Sequence, residues 1–367
     1  MIVAQLITSV DLGGAENMVF TLCEYLKQEE PGMEPVVIEI YRSGNPYAVQ
    51  KRAQLKEMGV QLYTLGSTHK YSSLAAGPLA LRQLLRKMKP AVVHAHTDLP
   101  DFVLAMTLRL LRRPGFRVFR TIHNTELWST HSFLGKITES AFRNDTIVAV
   151  SQSAAAAYRQ IRERYRLPVS ADQHLVYNGI KEPAQQDQRF QLEPGKLHVA
   201  FAGRLERQKG IDILLNMLRD VPASWADRLH LHIIGSGHFE QEVRTFCAWH
   251  PWCTYHGAVS NLADAIGAFP VLLMPSRFEG MGLISAEASL AGTVVVASDV
   301  PGLNETLPTD WPLFVQDPSP AAWLAILDRL LQGKIDLEVL QKKAYYYVLK
   351  KFSWKEMGQQ YAILYKE

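Results

Sequence analysis

Cysteine is scarce: 367 residues contain only Cys23, Cys247 and Cys253. They form neither a CxxC pair nor an even-numbered framework, so no zinc ribbon or disulfide scaffold is indicated and reduced, buried thiols are expected. No uninterrupted apolar run is long enough to cross a bilayer. The apolar start, residues 1–10, has no basic residue ahead of it and meets Asp11 too early for a signal peptide, so a cytosolic or peripheral protein is expected. The GxGxxG spacing of a dinucleotide site is missing, as is the Gly-Lys-Ser/Thr of a P-loop, which argues against dehydrogenases and nucleotide hydrolases. Basic clusters lack interleaved aromatics and no nucleic-acid module is recognisable, so nucleic acid is not an expected partner.

What is present is ample for two cores. The chain is 47 % apolar and 20 % charged, the balance of an ordered protein with two domains. Up to Ile180, Lys and Arg outnumber Asp and Glu by 21 to 15; beyond it the balance reverses to 18 against 21. Two basic clusters, at 82–89 and 109–113, share helices with Leu and Met, as on a helix lying against anionic lipid or one with a solvated face. Strands at 2–8, 35–41, 60–65, 91–95, 117–122, 146–150 and 174–177 alternate with helices, and the rhythm restarts after a polar, Gln-rich linker at 181–195. There the strands are expected at 197–201, 229–234, 254–256, 271–274 and 294–297. The fold class is therefore α/β: two doubly wound, Rossmann-like domains facing a cleft, bounded as 1–180 and 181–352, with a final helix at 353–367.

Ligands of such sheets bind beyond the carboxyl ends of the strands. The densest stretch there is Arg277-Phe278-Glu279-Gly280-Met281-Gly282-Leu283, running on to Glu287, after the apolar run Val271-Leu272-Leu273-Met274 and its terminator Pro275-Ser276. Its glycines permit close backbone approach and the following helix opens with unpaired amides, an anion site bracketed by Glu279 and Glu287. Arg204 and Lys209 follow the first strand of the second domain, where a guanidinium and an ammonium together can hold a diphosphate. Gly235-Ser236-Gly237 ends the next strand, Gly13-Gly14 turns the first strand of the chain into its helix, and His123 follows the strand at 117–122. His123 either faces the cleft or caps a loop. His94 and His96 alternate along a strand and are expected to be structural, with a metal site as the less favoured reading.

Gly203-Arg204 with Lys209-Gly210, followed by Glu279-Gly280-Met281-Gly282-Leu283 and Glu287 eight positions after Glu279, resembles the retaining nucleotide-sugar glycosyltransferases of the GT-B fold, a group that includes phosphatidylinositol mannosyltransferases and many enzymes of bacterial surface polysaccharides. Gly13-Gly14-Ala15-Glu16, His123-Asn124, Val150-Ser151 and Asn178-Gly179-Ile180 extend the likeness over nearly the whole chain. The resemblance implies that Arg204 and Lys209 neutralise the diphosphate of a UDP- or GDP-type donor, that Glu287 binds the ribose hydroxyls and Glu279 those of the sugar, and that Ser276 and residues Gly280, Met281, Gly282 and Leu283 line the site. His123 would touch the transferred sugar; Gly13, Gly14 and Gly237 would approach the donor through their backbone. Retention of configuration, no cofactor, no required divalent metal and cleft closure about the hinge are implied with it. Two positions depart from the pattern: Met281 replaces the usual aromatic, and Ala268-Phe269-Pro270 stands where an acidic residue is common.

A nucleotide-sugar epimerase shares this two-domain architecture and remains the alternative, with a non-catalytic sugar-nucleotide binder as a third reading. The acceptor is expected to be a saccharide or lipid-linked and anionic, at an anionic membrane surface, read by loops at 66–71 and 125–133 of the basic first domain.

Overall fold

In the computed structural model, which describes residues 1–11, 13–111, 114–129, 131–183, 189–190, 192–259 and 262–367, short apolar runs become parallel strands covered on both faces. Parts of four sequence features fall outside the described residues: residue 12 of the glycine turn, 112–113 of the second basic cluster, 130 of the 125–133 loop, and 184–188 with 191 of the linker. The chain forms two units, Met1–Gly179 with Trp354–Glu367, and Ile180–Ser353. It therefore passes between them twice, at 179/180 and at 353/354.

The first unit holds β1 (Ile2–Ile7), α1 (Gly14–Glu29), β2 (Glu34–Glu39), α2 (Pro46–Glu57), β3 (Gln61–Thr64), α3 (Lys70–Met88), β4 (Val92–His96), α4 (Asp98–Arg109), β5 (Arg117–Ile122), α5 (Ser132–Glu139), β6 (Thr146–Ala149), α6 (Gln152–Arg164) and β7 (Gln173–Leu175). Its strands are all parallel, in the order β3-β2-β1-β4-β5-β6-β7. The second unit continues with β8 (Leu197–Ala202), α7 (Ile211–Arg219), β9 (Leu229–Ile234), α8 (Glu240–Trp249), β10 (Cys253–Gly257), α9 (Leu262–Ala265), β11 (Val271–Met274), α10 (Leu283–Leu290), β12 (Val294–Ser298), β13 (Phe314–Val315), α11 (Pro320–Leu331) and α12 (Leu337–Lys351), and α13 (Trp354–Lys366) returns to the first. Here the parallel order is β10-β9-β8-β11-β12-β13. The sixth strand, β13, is not anticipated from the sequence, because two residues carry no periodicity. After Ala265, α9 passes into a 3-10 turn, Ile266–Ala268.

Strand alternation divides the core of the first unit in two. Val3, Ile7, Val92 and Phe119 face α1 and α13, whereas Ala4, Leu6, Val93 and Ala95 face α3 and α4. On β5, buried Arg120 breaks the apolar rule and is met by three carboxylates: Asp101 of α4 at 2.8 Å, Glu139 of α5 at 2.6 Å and Asp145 at 3.2 Å. This network ties α4 and α5 to β5, and burial pushes the Asp101 carboxyl up to about 7 even beside that guanidinium. The acidic residue at the end of β2, where a dinucleotide fold would read ribose, is here occupied with structure. Glu39 is fully buried, pairs with Arg52 at 2.6 and 2.7 Å, and accepts the Val10 amide at 3.0 Å.

The three cysteines are free. Cys247 is only half-buried, and its sulfur lies 2.8 Å from that of Cys253.

Candidate active site

In each sheet the strand order reverses between two neighbours, β1 and β4 in the first unit, β8 and β11 in the second. Crevices open at such switch points because the crossovers leave in opposite directions. The expected site residues gather at both.

In the second unit the loop after β8 and the loop after β11 lie side by side. Lys209 sits in a 3-10 turn, Arg207–Lys209, and Gly210 at φ 72° turns the chain into α7. The lysine Nζ is 2.7 Å from each carboxylate oxygen of buried Glu279, and the Ser276 hydroxyl donates to the same carboxylate at 2.8 Å. Lys209 and Glu279 thus form one largely buried, charge-assisted unit. Exposed Arg204 is steered by Gln208, whose side-chain oxygen accepts from Nη2 at 2.8 Å. Gln208 also receives the Arg277 amide on its carbonyl at 2.9 Å, stitching the two loops together. Nothing in the sequence marks a lone glutamine for this task. Arg277 is a clamp rather than an anion ligand: it grips Asp212 with both guanidinium nitrogens, at 2.6 and 2.8 Å.

The glycines have local reasons. A Cβ on Gly235, at φ 139°, would overlap the Gly203 carbonyl, and one on Gly237 would crowd the backbone of Leu205. What these two residues admit is therefore the neighbouring loop. Gly282 caps α10 in the left-handed region at φ 65°, next to Leu303, while Met281 is buried and Leu283 opens the helix. No acidic side chain stands in the first turn of α10, so its opening amides keep their partial positive charge. Glu287 lies in its second turn, half-buried. Behind the loop, Pro301-Gly302-Leu303 acts as a buttress that sequence reading missed: the Glu279 amide points to the Pro301 carbonyl at 3.4 Å, and a Cβ on Gly302 would overlap the Glu279 carbonyl.

In the first unit Gly13 is the N-cap of α1 and Gly14 its first residue; the carboxylate of Glu16 fills the space beside Gly13. Across the switch point Thr8 and Thr97 bring their hydroxyls to 3.3 Å, and Thr97 holds φ 77°, a strained conformation for a β-branched residue. His123 is half-buried just past β5, with Nε2 at 3.1 Å from Nδ1 of buried His96. Burial holds its pKa down at about 3, so the ring is neutral.

Family models match each unit in turn. Residues 12–182 match Glycosyltransferase Family 4 and residues 196–333 match Glycosyl transferases group 1. The chain belongs to the group 1 glycosyltransferases. An uncharacterised 41.2 kDa protein in the cps region of Klebsiella pneumoniae is 26 % identical over 282 residues, 71 % of this chain and 75 % of that one. Among solved structures, Anabaena Alr3699/HepE in complex with UDP-glucose superposes with a TM-score of 0.79 at 16 % identity, covering 99 % of both chains. The lipopolysaccharide outer core galactosyltransferase WaaB, in its apo form, gives 0.71 at 17 % over all of both chains. This glycosyltransferase accordingly has the GT-B fold, and its two Rossmann-like units are the two halves of that fold.

Proposed function

We propose that this glycosyltransferase takes a UDP- or GDP-type sugar as donor and moves the hexose, with retention and without a divalent metal, to a saccharide or lipid-linked acceptor of bacterial surface polysaccharide, lipopolysaccharide or glycolipid synthesis. The observation that carries the reading is the Lys209–Glu279 pair at a switch point with Arg204 alongside. The lysine charge is balanced by a carboxylate that is itself hydrogen-bonded by Ser276. A diphosphate arriving at the opening of α10 offers Lys209 and Arg204 a second anion, each charge-assisted bond worth about 1.5–3 kcal/mol. As the glycosidic bond breaks, negative charge grows on the leaving phosphate, and fixed cations there stabilise the transition state as a metal would.

Glu279, engaged by a lysine and a serine, is a weak nucleophile, which supports a role in binding sugar hydroxyls. Glu287 binds the ribose, His123 meets the transferred sugar, and the departing phosphate accepts the acceptor's proton. The ligand of the Anabaena neighbour, UDP-glucose, favours a UDP donor. On the acceptor side, exposed Tyr71 and Leu79 share α3 with exposed Arg86 and Lys87, and Phe133 and Leu134 stand exposed on α5. That mixture suits an anionic, lipid-linked acceptor at a membrane surface.

A thermal-shift panel of UDP, GDP, ADP and their sugars tests the donor, since a ligand of the native state raises the melting temperature by mass action. A rise with UDP-glucose and none with ADP-glucose is expected. Activity abolished by EDTA would end the metal-free reading, and inversion at the anomeric carbon would end retention. Turnover of the donor sugar with no acceptor present would make the enzyme an epimerase. Failure to sediment with phosphatidylglycerol vesicles at low salt would remove the membrane surface.

A further inference from the structure

The face of the first sheet that packs against α13 carries four polar side chains where apolar ones would pack more simply: Gln5, His94, His96 and Thr121, all at most 1 % exposed. Each is satisfied, and together with two tyrosines of α13 they make one continuous chain. Tyr361 and Thr121 share a hydrogen bond of 3.0 Å. Thr121 lies 2.6 Å from Nε2 of His94, whose Nδ1 lies 2.6 Å from the Tyr365 hydroxyl. Gln5 donates its amide to that hydroxyl at 3.2 Å, and its side-chain oxygen lies 2.7 Å from Nε2 of His96. Finally Nδ1 of His96 meets Nε2 of His123 at 3.1 Å. Only His123 emerges from burial.

The chain has a direction, and Gln5 sets it. An amide oxygen can only accept, so the proton between Gln5 and His96 sits on Nε2 of His96. A neutral imidazole has one N–H, which leaves Nδ1 of His96 bare and able only to accept. His123 must then supply the proton from its Nε2, and its own Nδ1 is left as a lone pair. Neutrality of the rings follows from burial, which holds His94 and His96 well below the ordinary histidine range. At the other end the Tyr365 hydroxyl accepts from the Gln5 amide, which leaves its own proton for Nδ1 of His94 at 2.6 Å. Reversing the amide would reverse every donor along the chain.

We infer that the relay Tyr365–Gln5–His96 fixes His123 as the Nε2–H tautomer, so that the nitrogen it offers substrate, Nδ1, accepts a hydrogen bond from a sugar hydroxyl. Gln5, His96 and Tyr365 are positioning residues; His123 is the group that touches the sugar. The inference rests on the proposed contact between His123 and the transferred sugar. Long-range proton–nitrogen correlation spectra of the full-length enzyme labelled with nitrogen-15 histidine, assigned with His123→Gln and His96→Gln, read the tautomer directly. A single Nε2–H form of His123 that persists from pH 8 to pH 5 is expected; an Nδ1–H form, a mixture, or an imidazolium above pH 5 overturns the proposal. Tyr365→Phe removes the hydroxyl that orients Gln5. It should turn the His123 signal into a tautomer mixture and lower kcat by roughly three- to tenfold, the worth of one neutral hydrogen bond, with the donor KM nearly unchanged. An unaltered tautomer in that variant would show that α13 does not set the direction. His123→Ala separates the two layers: undiminished transfer would overturn the sugar contact, whereas the wild-type spectrum judges the tautomer alone.

Discussion

Lys209 and Glu279 hold each other, so, with Lys209 as the proposed phosphate ligand, substitutions at the two ends of the pair should have opposite effects on nucleotide binding. Lys209→Ala removes the cation proposed to bind the donor phosphate and strands a buried carboxylate. UDP affinity should fall about tenfold or more, and stability by roughly 3 kcal/mol, as when one partner of a buried pair is lost. Glu279→Gln keeps a hydrogen-bonding side chain beside Ser276 but releases the lysine charge. UDP should bind as well or better, by calorimetry, while sugar transfer drops. Equal loss of UDP binding in both variants would refute the competition between carboxylate and diphosphate. Buried histidines make a second prediction. His94, His96, His123, His230, His232 and His256 are all held below their ordinary range, chiefly by burial. Below about pH 6.5 the unfolded chain therefore binds more protons than the native one, and stability falls with pH by on the order of 1 kcal/mol per unit for each fully buried ring. Asp98 and Asp101, raised to about 6 and about 7 by burial, act in the reverse sense: between about pH 4 and those values the native state holds the extra proton, so acidification favours it. Six groups against two leave a net loss, and the urea midpoint should drop steadily from pH 7 to pH 5.

Loops after strands carry the site, and their mutual support decides whether it forms. The Pro301-Gly302-Leu303 turn following β12 is the sharpest case: at φ 83° and with the Glu279 carbonyl where a Cβ would go, Gly302→Ala must displace the loop that bears Glu279. A stability loss of roughly 1–3 kcal/mol is expected, together with a transfer rate reduced about a hundredfold if the carboxylate shifts by an ångström. Thermal unfolding and initial rates check both. The elements themselves were largely legible: β5, β9 and β11 fall where apolar runs bounded by turn residues put them. Arg204, Lys209 and Glu279 were also legible, because charged residues and glycines just past buried strands stand out. Their pairing was not. Seventy residues separate Lys209 from Glu279, and only the strand order β9-β8-β11-β12 makes their loops neighbours, a fact about topology that no local pattern encodes. Gln208, Gly302 and the relay on β1 and β4 escaped for a related reason: each acts through a partner in another element. His96 read as a structural histidine from its place on a strand, and it is one, but its second nitrogen belongs to His123.

At the scale of the whole chain, two crossings at 179/180 and 353/354 make α13 a part of the first unit. Met357, Tyr361 and Tyr365 complete the core over β1 and β4, and Gly358 lies so close to the Tyr25 ring that a Cβ there would overlap it. Removing residues 354–367 should therefore damage the first unit and spare the second. Amide exchange should accelerate in β1, β4 and β5 while β8, β11 and β12 keep their protection; uniform loss would show that the units do not unfold separately. The same connectivity has a consequence during synthesis. A ribosome finishes β1 to β7 long before it reaches Trp354, and at about 5–20 residues per second the sheet waits on the order of ten seconds or more for its last helix. Through that interval Val3, Val92, Phe119 and the histidines of β4 lack the part of their cover that α13 supplies, so the first unit, begun earliest, is completed after the second, and the nascent chain presents a chaperone with an apolar surface that closes only when translation has passed α13.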